Sequence, residues 1–471
     1  MLEGLEISEI SFSNAFSITG EMRWDSDYYK KHFLENEKLL HGFPTVKLEK
    51  LCNSVKKGIF DLPPDNYIEE GVPLIRTSEI KNPTINFSST VFISDEISSE
   101  NYKTELRPGD LVFTKIGAYI GDVALLPARY EKYNFSQNVA GISVKDKKDS
   151  AYLLAFFLSK EGRNQILRSA MLSGQGKLEL EDIRNYEIPT VSEALKQELT
   201  GLLFQKESLE LKASSKYDSA ENLLLETLGM ANFTPSVEAV NVKSFKDSFA
   251  VTGRLDAEYY QPKYEDFEQK VFSHPAGFTT VDAEFELVKG ASQREKPAYN
   301  YIEISDVNVG DGAASFNRLD VEELPANAKQ EVKRGDLLIS KVRPNRGAVA
   351  IINFDDTDLI VSGAFTVLRE KETSMFHNET LKVLLRTEMY REWMLKFNIG
   401  TQYPVIRDDD ILNLPIPRID EAMQKQIAAL VKESFSLKAE SERLLDVAKR
   451  AVEIAIEQDE NAGMAYIEKN S

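Results

Sequence analysis

The chain has 471 residues, 42% hydrophobic, 10% aromatic and 28% charged, a globular composition that excludes a mostly disordered or fibrous protein and suggests two to four domains. The lone Cys52 excludes an internal disulfide, and His32, His41, His274 and His377 are too widely spaced for a Cys/His zinc site. A net charge of -19 counts against nucleic-acid binding by the chain as a whole, and the longest apolar stretch, Ala151 to Leu158, is far too short for a bilayer span. With no apolar h-region among the first thirty residues, a soluble cytoplasmic protein is expected.

In chain order, a lead-in segment (1–43) precedes a block (44–190) whose short β-branched and aromatic runs, such as Leu111–Thr114 and Val123–Leu126, are broken by Gly, Pro and Asn. From Ser192, a plausible N-cap, Leu195, Leu199, Leu202, Leu209, Tyr217, Ala220, Leu224 and Leu228 follow helical spacing up to Gly229. This central helix (191–230) of roughly 36 residues would span about 54 Å. A linker (231–274) leads to a second block (275–418), with runs at Leu337–Ser340 and Val349–Ile352, and then to a second long helix and tail (419–471). The three- and four-residue apolar spacing allows the helices to pair as an antiparallel coiled coil; alternatively each packs on its own domain.

The two halves are a tandem repeat. Arg107-Pro108-Gly109-Asp110-Leu111-Val112-Phe113-Thr114-Lys115 aligns with Lys333-Arg334-Gly335-Asp336-Leu337-Leu338-Ile339-Ser340-Lys341 at an offset of 226 residues. Gly121, Ala124 and Ser136 meet Gly347, Ala350 and Ser362 at that offset, and Gly174 meets Gly400. The preceding segments also agree: Phe16–Gly20 and Asp25–Tyr29 echo Phe249–Gly253 and Asp256–Tyr260. Residues 44–190 hold 19 basic and 20 acidic side chains and residues 275–418 hold 18 and 23, so most of the excess acid lies outside the blocks.

Catalytic constellations are missing. Gly174-Gln175-Gly176-Lys177-Leu178 lacks the earlier glycine and the hydroxyl of a Walker A loop. Neither Asp61-Leu62-Pro63-Pro64-Asp65 nor Asn82-Pro83-Thr84 has the order of an amino-methyltransferase turn, and Glu210-Leu211-Lys212 falls inside the central helix. The carboxylates Asp355-Asp356 and Asp408-Asp409-Asp410 read as solvated turns or helix starts.

Two turn pairs suit DNA. In each block a strand ends in a glycine-containing turn with basic and aromatic or amide side chains: Lys115 to Tyr119 in the first, and Lys341, Arg343, Asn345 and Arg346 in the second. Arg and Lys donate to guanine or phosphate, and Asn bonds adenine; the alternative is a solvated loop. A second pair, Gln175 and Lys177 in one block and Gln402 and Tyr403 in the other, can read base edges or serve as helix-opening turns.

As a set, these features resemble the specificity (S) subunits of type I restriction-modification enzymes. The resemblance rests on the twofold order of block and long helix and on the Gly-Asp-Leu-x-x-[Thr/Ser]-Lys strand (109–115 and 335–341). It rests also on Gly-Thr-Gln before Asp-Asp-Ile-Leu-Asn-Leu-Pro-Ile-Pro (400–417), and on Glu-Ala-Met-Gln-Lys-Gln-Ile (421–427) opening a helix. The first repeat departs from the pattern, with Gly-Gln-Gly-Lys in place of Gly-Thr-Gln. The resemblance implies an α+β fold: two tandem mixed α/β target recognition domains separated by long helices in an antiparallel coiled coil, related by a pseudo-twofold repeat. It implies a noncatalytic protein without a cofactor of its own, each domain reading one half of a bipartite site in double-stranded DNA. Its partners would be two methyltransferase (M) subunits, which bind S-adenosylmethionine, and restriction (R) subunits that can join them. The alternative is an acidic scaffold or DNA mimic that binds basic proteins.

Overall fold

A computed structural model describes residues 8–11, 26–87, 90–117, 119–170, 176–290, 292–353 and 355–471. The chain forms two compact units, Met1–Leu209 with Ala439–Ser471, and Glu210–Lys438. Both mix helices and sheets, and both build them in the same order.

In the first unit, Thr45–Lys47 pairs antiparallel with Glu187–Pro189, so the strand that opens the block lies against the one that closes it. Between them, Cys52–Lys57, Val139–Val144, Leu111–Thr114 and Val123–Leu125 form a four-stranded antiparallel sheet in that spatial order. A smaller sheet joins Val91–Ile93, Val72–Ile75 and Asn134–Phe135, the last two parallel. The apolar run Ala151–Leu158 lies in the helix Ser150–Leu158, buried on nearly every side against the sheet, and Lys160–Ala170 follows it.

The second unit repeats this plan. Phe278–Thr280 pairs with Pro415–Pro417. Phe285–Leu287, Phe365–Glu370, Leu337–Ser340 and Val349–Ile351 form the corresponding four-stranded sheet. The second sheet here has four strands, Asn317–Asp320, Ala298–Ile302, Leu359–Ser362 and Ala328–Glu331, and keeps the parallel pair at its centre. Two helices, Asn378–Arg386 and Glu388–Leu395, again follow.

The shared Gly-Asp motif explains why the central strands start alike. Gly109 (φ +79°) and Gly335 (φ +91°) take left-handed backbone, which glycine adopts without steric cost. The next residue is a buried carboxylate that closes the turn: Asp110 accepts the Arg107 backbone N–H at 2.8 Å and Asp336 accepts that of Lys333 at 2.9 Å. Each is neutralised from the neighbouring strand or just beyond it. Asp110 accepts the Val144 N–H at 2.8 Å and the Lys147 ammonium. Asp336 takes both Nε and Nη2 of Arg369, at 2.8 and 2.9 Å. The motif is thus a folding element.

Two long helices, Glu193–Thr227 and Glu421–Glu457, contribute to both units. Ser192 Oγ accepts the Leu195 N–H at 3.3 Å and Asp420 Oδ1 accepts that of Met423 at 3.0 Å, so each starts at a side-chain cap. In the first unit Leu195, Leu199 and Leu202 share a core with Leu444, Val447, Ala448 and Val452. In the second, Tyr217, Ala220 and Leu224 share one with Ile427 and Val431. Burying each of these leucines contributes about 1.5–3 kcal/mol.

The structure adds helices that apolar periodicity did not reveal. Lys31–Leu40 and Pro262–Phe272 precede the two blocks, each after a 3-10 turn at Ser26–Tyr29 or Ala257–Tyr260. The tail folds as Glu460–Asn470, capped by Asp459 and closely packed where Gly463 faces the Ala451 carbonyl. The lead-in motif Phe16–Gly20 lies outside the described residues.

Candidate nucleic-acid interface

In the second unit the strand Leu337–Ser340 runs into Lys341 and a turn that ends at Gly347. Arg343 holds left-handed backbone (φ +51°, ψ +53°), so the chain reverses there, and Pro344–Arg346 form a single 3-10 turn. The turn at 400–404, some sixty residues later in the chain, pairs with it. Val342 bridges Val405, the Arg343 N–H donates to the Pro404 carbonyl at 2.7 Å, and the Ile406 N–H donates to the Lys341 carbonyl at 3.0 Å. The geometry needs Gly400, since a Cβ there would lie 2.0 Å from the Tyr403 carbonyl oxygen.

This pairing brings the sequence candidates of the second block together. The Arg343 guanidinium lies 5.5 Å from the centre of the Tyr403 ring, and Arg343, Arg346, Gln402 and Tyr403 are all exposed. Arg343 and Arg346 have no carboxylate within ion-pairing distance among the described residues. Asn345 is half-buried. Lys341 is tethered: its Nζ lies 3.0 Å from Asp408 Oδ1, which also accepts the Thr366 hydroxyl at 2.6 Å.

The first unit repeats the pairing with different side chains. Ile116 bridges Lys177, and the Leu178 N–H donates to the Lys115 carbonyl at 3.0 Å. Lys115 is almost wholly buried. Desolvation, reinforced by Lys57 and Lys177 and opposed by Glu179, holds its ammonium below the usual lysine range. Lys177 pairs with Glu179 at 2.6 Å, and exposed Tyr119 lies under the Lys81 ammonium at 5.1 Å. Gln175 lies outside the described residues.

Three residues join this surface that motif reading missed: Lys57, Phe60 and Lys81. Lys57 Nζ lies 5.0 Å from the centre of the Phe60 ring, which is 70% exposed. The basic and aromatic run Lys56-Lys57-Gly58-Ile59-Phe60, which the structure places at the end of the strand Cys52–Lys57, was the available signal. Lys81 had none, because only the tertiary fold brings it to Tyr119.

Chemically, these turns offer guanidinium, ammonium, amide and aromatic groups, suited to phosphate oxygens, base edges and base faces. Among the described residues no group of three or more His, Cys, Asp or Glu side chains could hold a metal ion. Burial, with Asp110 and Asp149 adding, pushes the Cys52 thiol up to about 12, so it stays protonated and non-nucleophilic at neutral pH. No helix among the described residues is long and apolar enough to cross a membrane.

Residues 41–208 match the family described as the type I restriction modification DNA specificity domain. The chain is 30% identical over 114 residues to the type I restriction enzyme HindI specificity subunit of Haemophilus influenzae, covering 24% of each protein. It is 24% identical over 227 residues to the EcoBI specificity subunit of Escherichia coli, covering 46% of this chain and 48% of that protein. The matches therefore span about a quarter and about half the length of these relatives. Among solved structures, the S subunit of a type I restriction-modification system from M. genitalium is 13% identical with a TM-score of 0.34, over 90% of this chain and 96% of that one. The HsdS subunit from Thermoanaerobacter tengcongensis is 15% identical with a TM-score of 0.27, over 89% and 97%.

Proposed function

We propose a function from the premise that this chain, through residues 41–208, belongs to the type I restriction-modification specificity-subunit family: it is the noncatalytic, sequence-reading subunit of a DNA methylation and restriction complex. Each block, 44–190 and 275–418, acts as a target recognition domain for one half of a split site in double-stranded DNA. The observation that carries this reading is the recurrence of the paired turns. In both units the segment after the Gly-Asp-Leu strand is bridged to a later glycine-containing turn at the same topological position, and basic and aromatic side chains cluster there.

The two long helices act as the spacer and as the docking surface for two methyltransferase subunits. Within the first unit the early part of one helix packs with the late part of the other, and within the second unit the converse holds, which supports antiparallel pairing. Readers on one face of B-DNA must lie about one helical turn apart, roughly 34 Å or a multiple. The acidity outside the blocks suits contacts to protein partners, and the basic partners supply much of the phosphate contact. Restriction subunits join the same assembly. Family membership favours this reader over an acidic scaffold or DNA mimic.

The test is co-purification with candidate methyltransferase subunits, followed by sequencing of methylated adenines after exposure of DNA to the complex and S-adenosylmethionine. The expected product is a motif of two short specific halves around a fixed gap, one half of which changes when residues 275–418 are exchanged. A stable complex that methylates no split motif would overturn the proposal.

A further inference from the structure

In both units the carbonyl at the far end of the first reading turn is held by an arginine, and the two arginines occupy different places in the repeat. Gly121 (φ +82°) and Gly347 (φ +76°) close these turns in left-handed backbone. The Gly121 carbonyl accepts Nη1 of Arg163 at 2.7 Å, and the Gly347 carbonyl accepts Nη1 of Arg386, also at 2.7 Å. Arg163 is the fourth residue of the helix Lys160–Ala170, whereas Arg386 ends the helix Asn378–Arg386. The residue that matches Arg163 by place in its helix is Arg391, at the fourth position of Glu388–Leu395. Arg391 does not take the Gly347 carbonyl; its stem packs under that glycine, 2.9 Å from where a Cβ would stand. Two sequence solutions thus converge on one bond.

The Arg386 guanidinium, 7% exposed, makes two further hydrogen bonds to fixed partners. Nε donates to the Tyr217 hydroxyl at 2.6 Å and Nη2 to the Val309 carbonyl at 2.9 Å. A charge-assisted bond from a planar guanidinium so constrained fixes direction as well as distance. It sets how the turn carrying Arg343, Asn345 and Arg346 leaves the body of the unit. Arg163 does the same for the turn carrying Tyr119.

We infer that Arg163 and Arg386 are positioning residues for the two reading turns: they touch no DNA, and each governs the fidelity with which its own unit discriminates bases. The inference rests on the DNA-reading function proposed above. Arg386→Gln in the complex with methyltransferase subunits, assayed on duplexes carrying the motif read by the wild-type complex, should lower discrimination against single mismatches about tenfold or more. The loss should fall on the half-site assigned to residues 275–418, while the other half-site and binding to unrelated DNA change less than about twofold. Arg163→Gln should give the mirror result, and its side chain is one-third exposed, so it provides an arm in which folding is less at stake. Independently of DNA, hydrogen exchange on the full chain should show faster exchange at 343–347 in Arg386→Gln, with Leu337–Ser340 unchanged. Wild-type discrimination in both variants, equal loss at both half-sites, or unaltered exchange at 343–347 would each overturn the inference. If the wild-type complex reads no split motif, the proposed function fails, and the exchange measurement alone decides whether the arginine holds the turn.

Discussion

Removing the Asp336 carboxylate tests whether the Gly-Asp motif holds the second unit together. The residue is fully buried, accepts the Lys333 N–H at 2.9 Å and binds Arg369 through two nitrogens at 2.8 and 2.9 Å. Asp336→Ala forfeits the turn-closing bond, about 1 kcal/mol. It also leaves a guanidinium unpaired. Breaking a fully buried pair costs about 3–5 kcal/mol, but the Arg369 side chain is 32% exposed and can turn to water, so about 2 kcal/mol applies here. The sum is about 3 kcal/mol. Arg369→Met should cost at least as much, because it strands a carboxylate that has no route to solvent, and the double variant should recover part of the loss. Urea unfolding followed by Trp393, buried in the same unit, in a Trp24→Phe background reads the relevant unit. With a slope of about 2 kcal/mol/M the midpoint should fall by roughly 1.5 M. A fall below about 0.3 M, or a double variant no better than the worse single one, would refute the assignment of the motif to folding.

Three further outcomes follow from the same structure. Arg343→Ala and Arg346→Ala should each reduce recognition of one half-site by about 1–3 kcal/mol in competition binding, whereas an acidic scaffold would bind its partner unchanged. Gly400→Ala, which drives a Cβ to 2.0 Å from the Tyr403 carbonyl oxygen, should displace Gln402 and Tyr403 and weaken the same half-site, with little change in the urea midpoint because the turn is exposed. Lys382 is fully buried over Phe435 at 4.0 Å, and its Nζ has no hydrogen-bond partner among the described residues. Burial, with Arg386 and Lys438 adding and Asp311 and Glu379 opposing, holds its ammonium well below the usual lysine range. Since the folded pKa is depressed, the unfolded chain binds the extra proton, and stability rises with pH from the folded value toward the unfolded one. Lys382→Met should therefore be more stable at pH 7, by about 1–4 kcal/mol, and the gap should narrow at pH 9, which still lies below the unfolded lysine pKa of about 10.4. Urea midpoints at the two pH values check this, and a variant less stable at both would contradict it.

What the sequence exposed and what it hid divide along local and tertiary lines. Leu111–Thr114 and Leu337–Ser340 form strands over the residues read from composition, and the long helices start at Ser192 and Asp420. These signals lie within a few residues of one another. Lys31–Leu40 and Pro262–Phe272 escaped notice because a helix of about three turns with a narrow buried stripe, such as Phe33, Asn36 and Leu40, yields few periodic positions. At the candidate interface the residue types were legible but their settings were not. Nothing near Lys341 announces an ion pair with Asp408, 67 positions later, and the burial of Lys115 follows from neighbours at Lys57 and Lys177. The arginines that grip Gly121 and Gly347 were invisible for a deeper reason: by place in its helix Arg163 matches Arg391, yet Arg386 takes the carbonyl.

The strand that opens each block is hydrogen-bonded to the strand that closes it, Thr45 opposite Pro189 and Phe278 opposite Pro417. Partners in an antiparallel ladder lie only about 5 Å apart, so the chain leaves each block where it arrived. A recombination event that exchanges everything between the paired strands needs a graft whose two ends meet and whose inner face still packs on the long helices. Under the function proposed above, such an exchange would change one half of the site read in a single genetic step, with the sequence of the helices untouched.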